Sequence, residues 1–248
     1  MADDKKFPSE IVDLPSGGKI YGKDSPLYNG KIELKYMTAK EEDILTSANL
    51  IKKGVVITKL LDSLIVTEGV SCDDLVLGDK NGVMVAARIL AYGPKYETEI
   101  TDPDSGQKIP YTFDLTECPF KEVVESEGNL FDFELPISKQ KIQFKILTGK
   151  DERDIEVELK RVSKHTGDSS EITTRLRYMI QSVDGDTAPG TINAFSQNML
   201  ARDSLALREE VMRISPDINM SSEVELGGEM VTVTIPMTAN FFWPNSKV

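Results

Sequence analysis

The stretch KIELKYMTAKEEDIL, from Lys31 to Leu45, is echoed by KIQFKILTGKDERDI, from Lys141 to Ile155. Lys, Ile, Lys, Thr, Lys and Glu coincide at six of the fifteen places. Most other positions are near substitutions: Leu34 for Phe144, Met37 for Leu147, Ala39 for Gly149, Glu41 for Asp151. Each copy joins two periodicities. In the first, Ile32, Leu34 and Tyr36 alternate with Lys31, Glu33 and Lys35, the pattern of a half-buried strand. Thr38 with Glu41 three residues on then forms a capping box, in which hydroxyl and carboxylate satisfy backbone donors that the first helical turn leaves open. A helix is predicted from Ala39 to about Lys53, with Ile44, Leu45, Ala48 and Ile51 on its apolar side and Gly54 as its stop. The second copy sets Ile142, Phe144 and Ile146 on one strand face. Thr148 with Asp151 is a weaker cap, and the helix runs through about Lys164.

Strand-cap-helix units are common in α+β proteins, so the echo gains weight from what surrounds it. Leu14-Pro15 opens the turn-rich entry LPSGGKIYGKDSPLYNG, and Leu135-Pro136 precedes the second strand in the same way. TKLLDSLIV reads as a short helix or strand. GDKNGVMVAARILAYG reads as a turn feeding a helix, with Asp79 as N-cap, Val83 to Tyr92 as body and Gly93 as stop. KYETEITDPDSGQKIPYTFDL alternates about a turn near Asp102 to Gly106 and predicts a hairpin. In the second half SSEITTRLRYMIQSV and TINAFSQNMLARDSLALREEVMRI each read as one helix, and EVELGGEMVTVTIPM as a hairpin about Gly227-Gly228. The expected fold is α+β with two similar subdomains: a charged tail or docking strap over 1–13, halves over 14–125 and 126–240, and an aromatic tail over 241–248. Internal duplication would make the chain a pseudo-dimer about an approximate twofold axis.

The 248 residues carry a formal charge of −12, with 40% hydrophobic and 28% charged residues. Sizeable cores are possible, and the acidity argues against a nucleic-acid surface, which needs clustered Lys and Arg. No apolar run reaches the roughly 18 residues of a membrane span. The charged MADDKKFPSE does not read as a signal peptide. Two cysteines, Cys72 and Cys118, are too few for a disulfide framework and point to a reducing cytoplasm.

Chemistry is sparse. His165, the one histidine, sits in polar KHTGDSS with no evident triad partner. Cys72 precedes Asp73 and Asp74, which disfavour a thiolate, and Cys118 before Pro119 suits packing. With His165 these would make three zinc ligands, but no CxxC-type pair holds them. GDKNG and DPDSG lack the spacing of a calcium loop, and LPSGGKIYGK lacks that of a phosphate loop. No catalytic, metal or cofactor-binding residue is assigned. NFFWP stands apart: Phe241, Phe242, Trp243 and Pro244 are either a last segment folded onto the core or an aromatic anchor for a partner.

LPSGGKIY, YMTAKEEDIL, GDKNGVMVAARILAYG and IPMTANFFWP, in this order from about Leu14 to Pro244, resemble the baseplate hub and hub-assembly proteins of T4-like contractile-tailed phages. The most specific pieces are the turn at Gly78 to Asn81, the Arg88…Tyr92-Gly93 helix end and the terminal Phe-Phe-Trp-Pro. The resemblance implies a structural component or assembly factor that works by protein contacts, is not an enzyme, and has other hub proteins, and a possible homo-oligomer, as partners. It implies host cytoplasm during assembly and the tail baseplate if the protein is retained. Two alternatives are a transient chaperone absent from the virion and a hydrolase with clustered carboxylates. Some relatives carry a Cys-Pro-x-Cys-Gly knuckle in the central hairpin. Here that place reads Asp102-Pro103-Asp104-Ser105-Gly106, and a zinc ribbon does not transfer.

Overall fold

The structure is a computed structural model, and it describes residues 7–101, 106–124, 126–166, 170–226, 228–235, 237 and 239–242. It is an α+β fold built on small antiparallel sheets. In the first half β1 (Ser9–Asp13) pairs with β2 (Lys31–Lys35), and Leu34 bridges onward to Ile65. Ser9–Asp13, which its charge groups with the tail, is thus a strand. The entry segment between β1 and β2 folds tightly on itself. Gly18 has a φ of +81°, and a Cβ there would lie 2.1 Å from the Tyr28 carbonyl oxygen, so only glycine fits.

Helices α1 (Ala39–Thr46) and α2 (Ala48–Lys53) replace the single predicted helix. Ser47 between them is extended, at ψ 102°, and Gly54 ends α2 in the left-handed region. α3 (Val56–Leu64) buries Val56, Leu60, Leu61 and Leu64, the apolar stripe of a helix lying on a core. α4 (Leu77–Tyr92) follows, and then the hairpin of β3 (Lys95–Thr101) with β4 (Lys108–Asp114). Most of the turn predicted for that hairpin, residues 102–105, lies outside the described residues.

The second half orders β5 (Phe131–Glu134), β6 (Lys141–Phe144) and β7 (Ile180–Val183) in one sheet. α5 (Gly149–Thr166) and α6 (Glu171–Met179) connect β6 to β7. The segment read as one helix through Val183 therefore turns to strand at Ile180. The long helix predicted from Thr191 is two, α7 (Pro189–Asn198) and α8 (Ala201–Ile214), broken by extended Met199 and Leu200. The chain closes with β8 (Ser221–Leu226), β9 (Glu229–Thr234) and a 3-10 turn at Ala239–Phe242.

The two echoed units are built alike. Lys35 Nζ donates to Glu41 Oε1 at 2.9 Å, and the Thr38 amide donates to Glu41 Oε2 at 3.0 Å. In the second unit Lys145 Nζ donates to Asp151 at 2.8 Å, and the Thr148 amide to Asp151 Oδ2 at 3.0 Å. Leu34 pairs with Ile65 where Phe144 pairs with Ile180. The replacement of Ala39 by Gly149 has a local cause: a Cβ at Gly149 would lie 2.3 Å from the Cys72 carbonyl oxygen.

Two apolar clusters form the interior, and they do not part at residue 125. The first joins β2, α3 and α4 to residues of both hairpins, including Tyr96, Phe113, Val224 and Leu226, and to Phe241 and Phe242. The second gathers around β6, α6 and α8 but also takes Ile20 and Val76 from the first half.

Candidate functional site

The first turns of α4 are where both halves meet. GDKNG, read from sequence as a turn with Asp79 as N-cap, is helical, and the cap is extended Val76. Glycine in a helix costs about 1 kcal/mol. Here the missing side chains admit neighbours: a Cβ on Gly78 would meet the Pro216 carbonyl oxygen at 1.7 Å, and one on Gly82 the Pro15 ring at 2.6 Å. Asp79, fully buried, accepts from the Ser16 amide at 2.7 Å, the Ser16 hydroxyl at 2.7 Å and the Tyr21 hydroxyl at 2.6 Å. Burial pushes its carboxyl pKa up, against these hydrogen bonds. Burial, and then the Asp79 charge, also raise that of Tyr21. Asn81 reaches across to Asp217 at 3.0 Å. The site is a buried polar staple, and Asp79 directs its acceptors at the entry segment.

α8 carries a parallel arrangement. Asp203, in its first turn like Asp79 in α4, is fully buried and accepts from the Ile137 amide at 2.8 Å and the Ser138 amide at 3.0 Å. Both carboxylates thus hold the residues that follow a Leu-Pro pair, Leu14-Pro15 and Leu135-Pro136.

At the other end of α4, Arg88 is 2% exposed. Its Nε donates to the Phe241 carbonyl at 2.9 Å, Nη1 to Gly93 at 3.1 Å and Nη2 to Lys95 at 3.3 Å. Its guanidinium lies 5.0 Å from the Tyr92 ring centroid and 5.8 Å from that of Tyr96. A planar cation between aromatic faces, with carbonyls around its rim, is well placed to stay charged inside a protein. Desolvation lowers its pKa. The Phe241 ring stands 5.2 Å from Tyr96 and 5.5 Å from Phe242. Arg88 therefore clamps the C-terminal turn onto the end of α4. Nothing in the spacing of Arg88 and Phe241, 153 residues apart, announced this contact.

Phe241 and Phe242, expected as an outward anchor or as a segment folded back, are both fully buried. Their rings face this chain's own core. Trp243 and Pro244 lie outside the described residues. Cys72 is buried, and desolvation, with Asp62, Asp73 and Asp74 nearby, pushes its thiol up to about 11 despite Lys80. Cys118 is half-buried and also raised. His165 lies on α5. Among the described residues no group of three or more His, Cys, Asp and Glu could hold a metal ion, and no helix is long and apolar enough to cross a membrane.

A family described as T4 bacteriophage base plate protein matches the chain over residues 8–243. The chain belongs to this family. No curated protein and no solved structure matches it. Two pieces of the baseplate protein that carried the resemblance hold distant segments in place: the helical Gly78 to Asn81 stretch fixes the entry segment through Asp79, and the Arg88 helix end fixes Phe241. Between the halves of the baseplate protein runs a cleft of about 380 Å³, lined by Thr58, Cys72, Lys80, Arg153, Glu156 and Arg175 among others. Its charges largely pair within its walls. Arg153 bonds Asp73, and Arg175 bonds Glu152 at 2.7 Å and Glu171 at 3.2 Å. Arg153 with Asp73 is the pair that crosses from one wall of the cleft to the other, while the Arg175 pairs tie α6 to α5 and to itself.

Proposed function

We propose that the protein works in the baseplate hub of a contractile phage tail, as a structural component or an assembly factor, by protein contacts and without covalent chemistry. The family match over nearly the whole chain carries this reading. The use of the buried charged groups supports it: Asp79, Asp203 and Arg88 are spent on holding backbone. Other tail and hub proteins are its partners, met in the host cytoplasm during assembly. The echoed caps and the matched Asp79 and Asp203 staples favour an origin by internal duplication. An alignment of relatives in which the halves share the Lys, Thr and acidic positions would support that origin, and halves that vary independently there would end it.

The experiment is affinity capture of the tagged protein from infected cells, with protein analysis of purified virions. Hub proteins should be captured. Copies in the virion assign a structural part, and capture from assembly intermediates alone assigns an assembly factor. Normal baseplates made without the protein would overturn both. The C-terminal contact is tested on chains ending at Phe242: partner capture should weaken if Trp243 and Pro244 contribute, and unchanged capture removes them from the interface.

A further inference from the structure

We propose that β1 is a docking edge for a second copy of this chain, paired antiparallel about a twofold axis through Ile11. The parity of the β1–β2 ladder shows which groups are free. The Tyr36 amide donates to the Pro8 carbonyl and the Leu14 amide to the Gly30 carbonyl, so even-numbered residues of β1 face β2. The N–H and C=O groups of Ser9, Ile11 and Asp13 therefore point away from the sheet. Among the described residues none of them has a backbone partner on that side. Ile11 is 67% exposed, among the described residues the most open large apolar side chain but for Met212. An open edge with an exposed β-branched residue at its centre is a template for another strand.

The side chains favour a like strand as occupant. Antiparallel pairing centred on Ile11 sets Ile11 against Ile11, and Ser9 against Asp13 on both sides. No like charges stand directly opposite, and the Asp13 carboxylate is already paired with Lys31 at 2.7 Å. Its outward groups supply about six backbone hydrogen bonds. The corresponding edge of the second half fails this test. The Leu135 amide bonds the Gln140 carbonyl, so β5 points Asp132 and Glu134 outward. Self-pairing there sets carboxylate against carboxylate, and pairing β1 within the β5 span sets Ile11 against one of them. The inference is independent of the hub reading.

Sedimentation velocity over a concentration series of the full chain tests it. A monomer–dimer equilibrium is expected. Ile11→Lys, which puts two ammonium groups at the axis, should raise the dissociation constant at least tenfold. Met230→Lys, at an exposed site on another sheet, should leave it unchanged. Circular dichroism checks that both variants are folded. In a Cys118→Ser background, Ile11→Cys should give a disulfide-linked dimer on oxidation. Facing residues of a hydrogen-bonded pair sit about 5.5 Å apart at Cα, within disulfide reach. A wild-type chain that stays monomeric throughout, or a dimer indifferent to Ile11→Lys that fails to cross-link, overturns the proposal.

Discussion

At the scale of single residues, this protein places its buried charges as fasteners. Arg88 satisfies three carbonyls from two separate segments. Arg88→Leu leaves them bare, and each such loss costs about 1–3 kcal/mol. A fall of about 3 kcal/mol in urea unfolding is the expected result, with faster proteolysis near the C-terminus. Glu41 and Asp79 should respond to pH in opposite directions. Burial would raise the Glu41 pKa, but hydrogen bonds from Thr38, Lys35 and Ser63 outweigh it and hold it at about 2. Its contribution is therefore full above the unfolded pKa of about 4.3 and is lost as pH falls toward 2. The Asp79 pKa is raised, so its charged form opposes folding, and its contribution falls as pH rises through the ordinary carboxylate range. Stability measured against pH should show a shallower acid limb in Glu41→Gln, with the remainder carried by other lowered carboxyls such as Asp151 and Asp203. In Asp79→Asn the opposing slope should disappear.

Local signals carried the elements well where the cause was local. Thr38 and Thr148 announce their helices because cap and helix are neighbours in sequence. The break between α7 and α8 was not legible, because the apolar period continues through Met199 and Leu200. What fixes the start of α8 is Asp203, engaged by amides 65 and 66 residues away. The strand at Ile180 was hidden for a similar reason: RYMIQSV suits a helix, and only β6 beside it makes it a strand. Asp79 shows a half-success. Its capping chemistry was legible, but it serves Ser16 and Tyr21 and not its own helix. The Ala39 and Gly149 exchange offers a test of how the units dock. Gly149→Ala drives a Cβ into the Cys72 carbonyl and should cost about 1–3 kcal/mol, as overpacking does. Ala39→Gly should cost no more than about 1 kcal/mol, since it removes helix propensity alone. Thermal unfolding of both variants checks the difference.

For the whole molecule, the α+β class and the doubled opening unit were readable, while the division of the interior was not. Sequence order suggests a core for each half, yet β8, β9 and the last aromatic turn complete the first cluster. Truncation should separate these contributions. A chain ending at Phe242 keeps both buried phenylalanines and serves as the reference. A chain ending at Ala239 loses two buried phenylalanines, each worth about 1.5–3 kcal/mol by area, and should unfold at markedly lower temperature. The same arrangement sets a timetable for synthesis. Tyr96 and Phe113 leave the ribosome long before Val224 and Leu226 exist. At ~5–20 residues per second the wait is on the order of ten seconds. Throughout it Tyr96 and Arg88 lack their contacts with Phe241. A chain not yet extended through β8 and β9 thus leaves apolar surface of the first cluster open to proteases. The first core therefore cannot be completed in the order in which its residues are made, and it waits for the last hairpin.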